Sequence, residues 1–160
     1  MRTLILAIGI ASLCGFGGCA GTGRPFVRTD GPSTSSGVTI APVDQRCSRR
    51  TWARAMDELV LRMRVQVSNA STEPITVAPQ EFRLLAAGTM PVADATAPEG
   101  PPPSLTVPPA GTVPLELHFR RVGFARCNQD MQLSAAGAVE MAGRGLIFRP
   151  ISFIAESTDT

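Results

Sequence analysis

The segment from Leu59 to Asn69 limits the possible folds of this chain more than any other part of the sequence. Every second residue is apolar, which gives an inward set of Leu59, Leu61, Met63, Val65 and Val67. The residues between them form the predicted outward set, Val60, Arg62, Arg64, Gln66 and Ser68. A period of two is that of a β-strand with one buried and one solvated face, whereas a helix would scatter the apolar residues around its circumference.

A second segment, 112–119, repeats the alternation and predicts a second long strand. Its inward residues are Val113, Leu115, Leu117 and Phe119, and its outward residues include Glu116 and His118. Shorter strands are predicted at 38–43, 75–77, 82–86 (with Leu84 inward), 90–93, 105–107, 146–148 and 151–154. Segment 45–56 fits either a short helix or an irregular connection, and the proline-rich segment 97–104 is predicted to be a loop. Closely spaced short strands without an amphipathic helix indicate an all-β fold, a single antiparallel β-sandwich of about seven to nine strands.

Two parts of the sequence resemble the immunoglobulin-like domains of many bacterial envelope lipoproteins. The first runs from Val65-Gln66-Val67-Ser68-Asn69 through Pro74-Ile75-Thr76-Val77 to Phe82-Arg83-Leu84, and the second is the turn Val107-Pro108-Pro109-Ala110-Gly111 with the strand after it. The resemblance covers most of residues 57 to 119. It implies an immunoglobulin-like sandwich over residues 38–156, followed by a short tail at 157–160. The core Trp and nearby Tyr of antibody-type domains are missing from their expected places.

The N-terminus has the features of an export signal. Arg2 precedes the short apolar run 4–11, which is the order of a secretory signal peptide. The following Gly17-Gly18-Cys19-Ala20 resembles the lipobox of bacterial lipoproteins, although Phe16 stands where that motif usually has Leu. The resemblance implies a signal peptide over 1–18, lipidation of Cys19, and the outer membrane rather than the inner one, facing the periplasm or the surface. Cys14 is the alternative lipidated residue, and an ordinary signal peptide cleaved near Ala20 is the other possibility.

Residues 19–37 are predicted to be a flexible tether, since they are rich in Gly, Ser, Thr and Pro and show no periodicity. The mature chain then keeps two further cysteines, Cys47 and Cys127. An even pair in an exported protein most simply forms a disulfide, and the two do not form a CxxC motif that would indicate a redox-active dithiol.

All fifteen cationic residues are arginines, and the formal net charge is +2. This charge is too small to make nucleic acid the expected partner. Two arginine groups flank the mature cysteines, and a Cys47–Cys127 bond would bring them together. Arg46, Arg49, Arg50, Arg121 and Arg126 are therefore a candidate anion-binding surface for an anionic envelope component or an envelope protein. The alternative is a solvated face whose arginines pair with Asp44, Asp57, Glu58 or Asp130.

Catalysis is not indicated. His118 is the only histidine, it is predicted to be a solvated surface residue, and no nucleophile motif accompanies it. No cofactor is predicted. Five methionines, Met56, Met63, Met90, Met131 and Met141, raise the question of copper, but the one histidine stands alone and Met63 lies on the apolar face of its strand. The sequence thus predicts a lipid-anchored structural or binding module. A periplasmic carrier of a metal or small ligand is the alternative.

Overall fold

The computed structural model describes residues 24–28, 30–51, 57–86, 90–96, 103–122 and 130–155. In this part of the chain the regular elements are strands and one turn of 3-10 helix, Pro79–Glu81. The strands are β1 (Arg24–Arg28), β2 (Ser33–Ser35), β3 (Val38–Thr51), β4 (Asp57–Asn69), β5 (Ile75–Val77), β6 (Arg83–Ala86), β7 (Met90–Thr96), β8 (Leu105–Val107), β9 (Thr112–Val122), β10 (Met131–Ser134), β11 (Val139–Met141), β12 (Arg144–Gly145) and β13 (Ile151–Ala155).

The strands form two antiparallel sheets. The larger has nine strands in the order β1-β13-β10-β6-β7-β9-β4-β3-β2, and the smaller has four in the order β12-β11-β5-β8. Two strands of the larger sheet change partners along their length. β1 pairs with β3 at Arg24 and Pro25 and with β13 from Phe26 onwards, while β7 pairs with β6 and then, at Ala95 and Thr96, with β9. These two strands join the β3-β4-β9 layer to the β6-β10-β13 layer at both sides, which closes the sandwich.

The core lies between the layers and confirms the predicted register of the two long strands. Of the predicted inward residues, Leu61, Met63, Val65, Val67, Leu84, Leu115, Leu117 and Phe119 are buried, and Val113 is partly buried. The side chain of Leu59 lies outside the described residues. Aromatic residues from the opposite layer and its connections, Phe82, Phe148 and Phe153, pack into the same cluster. The alternation of β4 and β9 therefore identified one wall of the core.

The all-β sandwich is confirmed, but the described residues contain 13 strands rather than seven to nine. The predicted short strands at 75–77 and 105–107 are confirmed. The unpredicted strands are β1, β2, β10, β11 and β12, each of five residues or fewer. β7 is longer than the predicted strand 90–93, and it has a neighbour on each side. Residues 146–148, predicted as a strand, have no regular structure, and the segment after Gln45, predicted as a helix or an irregular connection, continues β3 to Thr51.

The prediction of a flexible tether over 19–37 is wrong for two segments. β1 pairs with β13 and β3, and β2 pairs with the start of β3. Asp30, between these strands, accepts a hydrogen bond from the Ser152 backbone N–H at 3.1 Å. Backbone hydrogen bonds to existing sheet edges can order a segment that lacks an apolar period of its own. The signal segment and Cys19 lie outside the described residues, and no helix within the described ranges is long and apolar enough to cross a membrane.

Candidate functional site: an arginine-lined cleft

The outer face of strands β3, β4 and β9, which is the face opposite the core, carries a group of charged side chains. Register places them in two neighbouring rows across the three strands: Arg46, Arg62 and His118 in one row, and Asp44, Arg64 and Glu116 in the next. A cleft of ≈ 370 Å³ opens between the rows. We call it the arginine cleft, and its lining residues are Asp44, Arg46, Arg62, Met63, Arg64 and Glu116.

A β-bulge places the β3 residues of the cleft on the outer face. The register of β3 against β4 shifts between Pro42 and Asp44, so Val43 is an extra residue without a register partner on β4. Before the bulge, Val38 and Ile40 point into the core, and after it the odd-numbered Cys47 does so. This change of face turns Asp44 and Arg46 outward.

Each carboxylate of the cleft pairs with a side chain on its own strand. The Arg46 Nε atom lies 3.7 Å from Asp44 Oδ1, and both side chains are at least half exposed, at 61% and 50%. His118 Nε2 lies 2.8 Å from Glu116 Oε1. The hydrogen bond from His118 lowers the pKa of Glu116, partial burial opposes this effect, and the charges of His118, Arg64 and Arg62 lower the pKa further.

The two cleft arginines on the central strand β4 differ from Arg46 on β3. Arg62 and Arg64 are exposed, and none of the ion pairs between described residues involves either of them. They are close enough to Glu116 to lower its pKa, but His118 is the group that bonds to this carboxylate. Two guanidinium groups therefore line the cleft floor between carboxylates that are already paired elsewhere.

Two residues predicted to face solvent are buried, and for them the prediction is wrong. His118 is 6% exposed and Val60 is 3% exposed, although both lie on the outer face by alternation. The period of two assigns a side chain to a face, but it does not show whether more chain covers that face. His118 is thus a buried hydrogen-bonding residue beside the cleft rather than a solvated surface histidine.

The predicted anion-binding arginines are divided by the structure. Arg46 lines the arginine cleft. Arg49 and Arg121 both pair in register with Leu59, and Arg50 pairs with Glu58 in the next row, which brings the backbones of Arg49, Arg50 and Arg121 together at one end of the sheet. Arg126 lies outside the described residues. Arg62 and Arg64 were assigned only to a solvated face, and their i, i+2 spacing was the signal for the cleft.

The mature cysteines are only partly described. Cys47 is buried in the core and is disulfide-bonded, while Cys127, like Cys19 and Cys14, lies outside the described residues. The Cys47–Cys127 pairing therefore stays a prediction. Among the described residues no group of three or more His, Cys, Asp or Glu side chains could hold a metal, and Met63 and Met131 are core residues.

Comparison with known proteins bears on the fold. No protein-family model and no curated protein matches this sequence. The fold is similar to that of the Bacillus subtilis protein ycdA, described as a candidate lipoprotein, with a TM-score of 0.61 and 19% identity over 81% of this chain and 40% of that chain. The chain thus spans less than half the length of that protein. An Archaeoglobus fulgidus protein gives a TM-score of 0.34 and 16% identity, over 73% of this chain and 99% of that chain.

Proposed function

We propose that this protein is an exported, lipid-anchored module of the cell envelope that binds an anionic component and catalyses no reaction. The arginine cleft is the observation that carries the proposal. It gathers three arginines against two carboxylates, and both carboxylates are bonded along their own strands. A guanidinium group is a planar fork that matches phosphate and carboxylate oxygens.

The envelope location rests on the N-terminal sequence. A charged start, a short apolar run and Gly17-Gly18-Cys19-Ala20 support export and lipidation at Cys19, and the following Ala20 favours the outer membrane. Because β1 begins at Arg24, few residues separate a lipid on Cys19 from the first strand. The cleft would therefore be held close to the membrane or to components on it, with an immunoglobulin-like sandwich as its support.

Fractionation of cells tests the anchor. We expect the wild-type chain in the membrane fraction and the Cys19→Ser chain in the soluble fraction. The matched control is Cys14→Ser, which should stay with the membrane. If Cys14→Ser releases the protein and Cys19→Ser does not, the lipidated residue is Cys14.

Vesicle binding tests the binding role. The unlipidated Cys19→Ser chain should sediment with vesicles that contain an anionic lipid and not with neutral ones. Binding should weaken as salt rises, because exposed charges are screened beyond roughly 10 Å at 0.1 M ionic strength. Metal stoichiometry on the same purified protein separates this role from that of a metal carrier. Binding that depends neither on the charge of the lipid nor on the salt concentration would contradict the proposal.

A further inference from the structure

We infer that the arginine cleft is a site for a phosphate monoester, held by the paired guanidinium forks of Arg62 and Arg64. This deepens the proposed function and rests on it, because it names the anion class and the residues that bind it. The inference concerns the cleft of β3, β4 and β9 and not the end of the sheet, where Arg49, Arg50 and Arg121 lie.

The spacing of the two arginines suits a single phosphate group. They are two residues apart on one strand, so their Cα atoms are separated by about 6.8 Å and their side chains leave the same face. An arginine side chain is long enough for two such neighbours to converge on one group in the cleft between them. A terminal phosphate presents three oxygens and up to two negative charges, which matches two forks.

Among the described residues, the neighbouring carboxylates pair with other side chains and leave the two forks available to a ligand. Asp44 is paired with Arg46 at 3.7 Å, and Glu116 is bonded to His118 at 2.8 Å. The lowered pKa of Glu116 keeps it ionised, so it remains an acceptor for His118. Arg46 lies beside Arg62 in register, and its charge offsets that of Asp44.

The size of the cleft suits a compact group. Its volume of ≈ 370 Å³ is at the lower end of the roughly 300–1,000 Å³ typical of small-molecule sites. A phosphate with a small substituent fits this space. Such a phosphate can be the headgroup of a lipid or part of a soluble molecule, and the chemistry that the two forks recognise is the same in both cases.

Calorimetric titration with glycerol phosphate tests the site on the full Cys19→Ser chain. We expect binding that weakens about tenfold or more when Arg62 and Arg64 are both replaced by Gln, since hydrogen bonds to charged groups are the strong ones. Dimethyl phosphate, a diester with one charge, should bind more weakly than glycerol phosphate. The variant Arg62→Lys with Arg64→Lys keeps the charge and loses the fork, and it should also bind weakly.

The matched control replaces two exposed arginines that do not line the cleft, Arg144→Gln with Arg149→Gln, which gives the same change in net charge. It should bind glycerol phosphate as the parent does. Thermal unfolding of every variant checks that the fold is intact, because exposed charges contribute little to stability. Equal weakening in the control and the cleft variant, or none in the cleft variant, would overturn the site.

Vesicles distinguish the two sources of phosphate. Vesicles with phosphatidic acid should bind the parent and not the cleft variant if the ligand is a lipid headgroup. If the parent binds glycerol phosphate but not the vesicles with phosphatidic acid, the ligand of the site is a soluble phosphate. If Arg49→Ser, Arg50→Ser and Arg126→Ser together abolish binding to anionic vesicles while the cleft variant binds normally, the cleft inference fails and the proposed function survives. If the parent binds no anionic probe at all, both fail.

Discussion

Asn69 Nδ2 donates a hydrogen bond to the Val107 carbonyl at 3.1 Å, which links the end of β4 to β8 in the other sheet. The same amide group also lies within hydrogen-bonding distance of the Glu73 and Pro108 carbonyls, at 2.8 and 3.2 Å. On its other side, Oδ1 accepts from the Ser71 N–H at 3.0 Å and the Ser71 hydroxyl at 2.6 Å. One buried side chain therefore satisfies backbone groups from two loops at one end of the sandwich.

Replacing Asn69 with Ala should lower the free energy of unfolding by about 2–3 kcal/mol, because one buried and three partly buried backbone groups lose this partner at once. Urea denaturation measures this as a lower midpoint with an unchanged slope. Gln66→Ala, at an exposed position on the same strand, is the control and should change stability by less than about 0.5 kcal/mol. A similar midpoint for the two variants would show that the Asn69 hydrogen bonds add nothing.

Leu61 and Arg62, which are neighbours on β4, should differ strongly in how well they tolerate a negative charge. Leu61→Asp places a carboxylate in the core without a partner and should unfold the domain, as should Leu117→Asp. Arg62→Asp, on the outer face, should be mild by comparison. Circular dichroism during thermal unfolding checks this. Equal damage at Leu61 and Arg62 would contradict the register of the strand.

Deleting Val43 should be tolerated far better than deleting a residue that has a register partner. Val43 is the extra residue of the bulge, and its side chain is 62% exposed. Without it, Pro42 and Asp44 become neighbours and keep their register on β4, so Arg46 stays outward and Cys47 stays inward. Deleting Gln66, which is exposed and has register partners on both neighbouring strands, exchanges the two faces of the rest of β4. We expect cooperative thermal unfolding for the Val43 deletion and its loss for the Gln66 deletion. Loss of cooperativity in both variants would argue against the bulge.

The disulfide of Cys47 is expected to be with Cys127. A loop of this length would stabilise the fold by about 4–5 kcal/mol on the chain-entropy model. Peptide mapping of the non-reduced protein should recover the two cysteines in one linked pair, and thiol titration of the denatured, unlipidated Cys19→Ser chain should find neither of them free. Cys47 linked to Cys14 would contradict the assignment.

Acid should weaken the bond between the N-terminal segment and β13. The Ser152 N–H is the main cause of the lowered pKa of Asp30, with smaller contributions from the Ser152 side chain and from the charge of Arg149. A pKa below the ordinary value of 3.8 means that ionised Asp30 stabilises the fold above that pH, and that this stabilisation is lost as the pH falls through the folded-state pKa. Asp30→Asn should therefore be less stable than the parent at pH 5–7, and this difference should shrink as the pH falls below 3.8. Asp130→Asn, at an exposed position, is the control for the loss of charge.

The alternation in 59–69 and 112–119 determined the two central strands, the core wall they form and the all-β class, because a period of two can satisfy only one backbone geometry. The same pattern assigned Arg62 and Arg64 to the outer face. Local sequence located the short strands β5 and β8, but it did not locate β10, β11 and β12. Nor did it locate β1 and β2, because these are ordered by hydrogen bonds to distant edges of the sheet.

The candidate site depended on tertiary structure for a similar reason. Arg46 lies beside Arg62 because of the bulge at Val43. The flanking residues Pro42 and Asp44 do not identify this bulge in the sequence, since both residue types also fit an edge strand or a turn. Burial of His118 and Val60 depends on what covers the outer face, which alternation within one strand does not encode. The sequence determined the faces of individual strands, and only the packing of strands against one another decided which charges meet and which are removed from water.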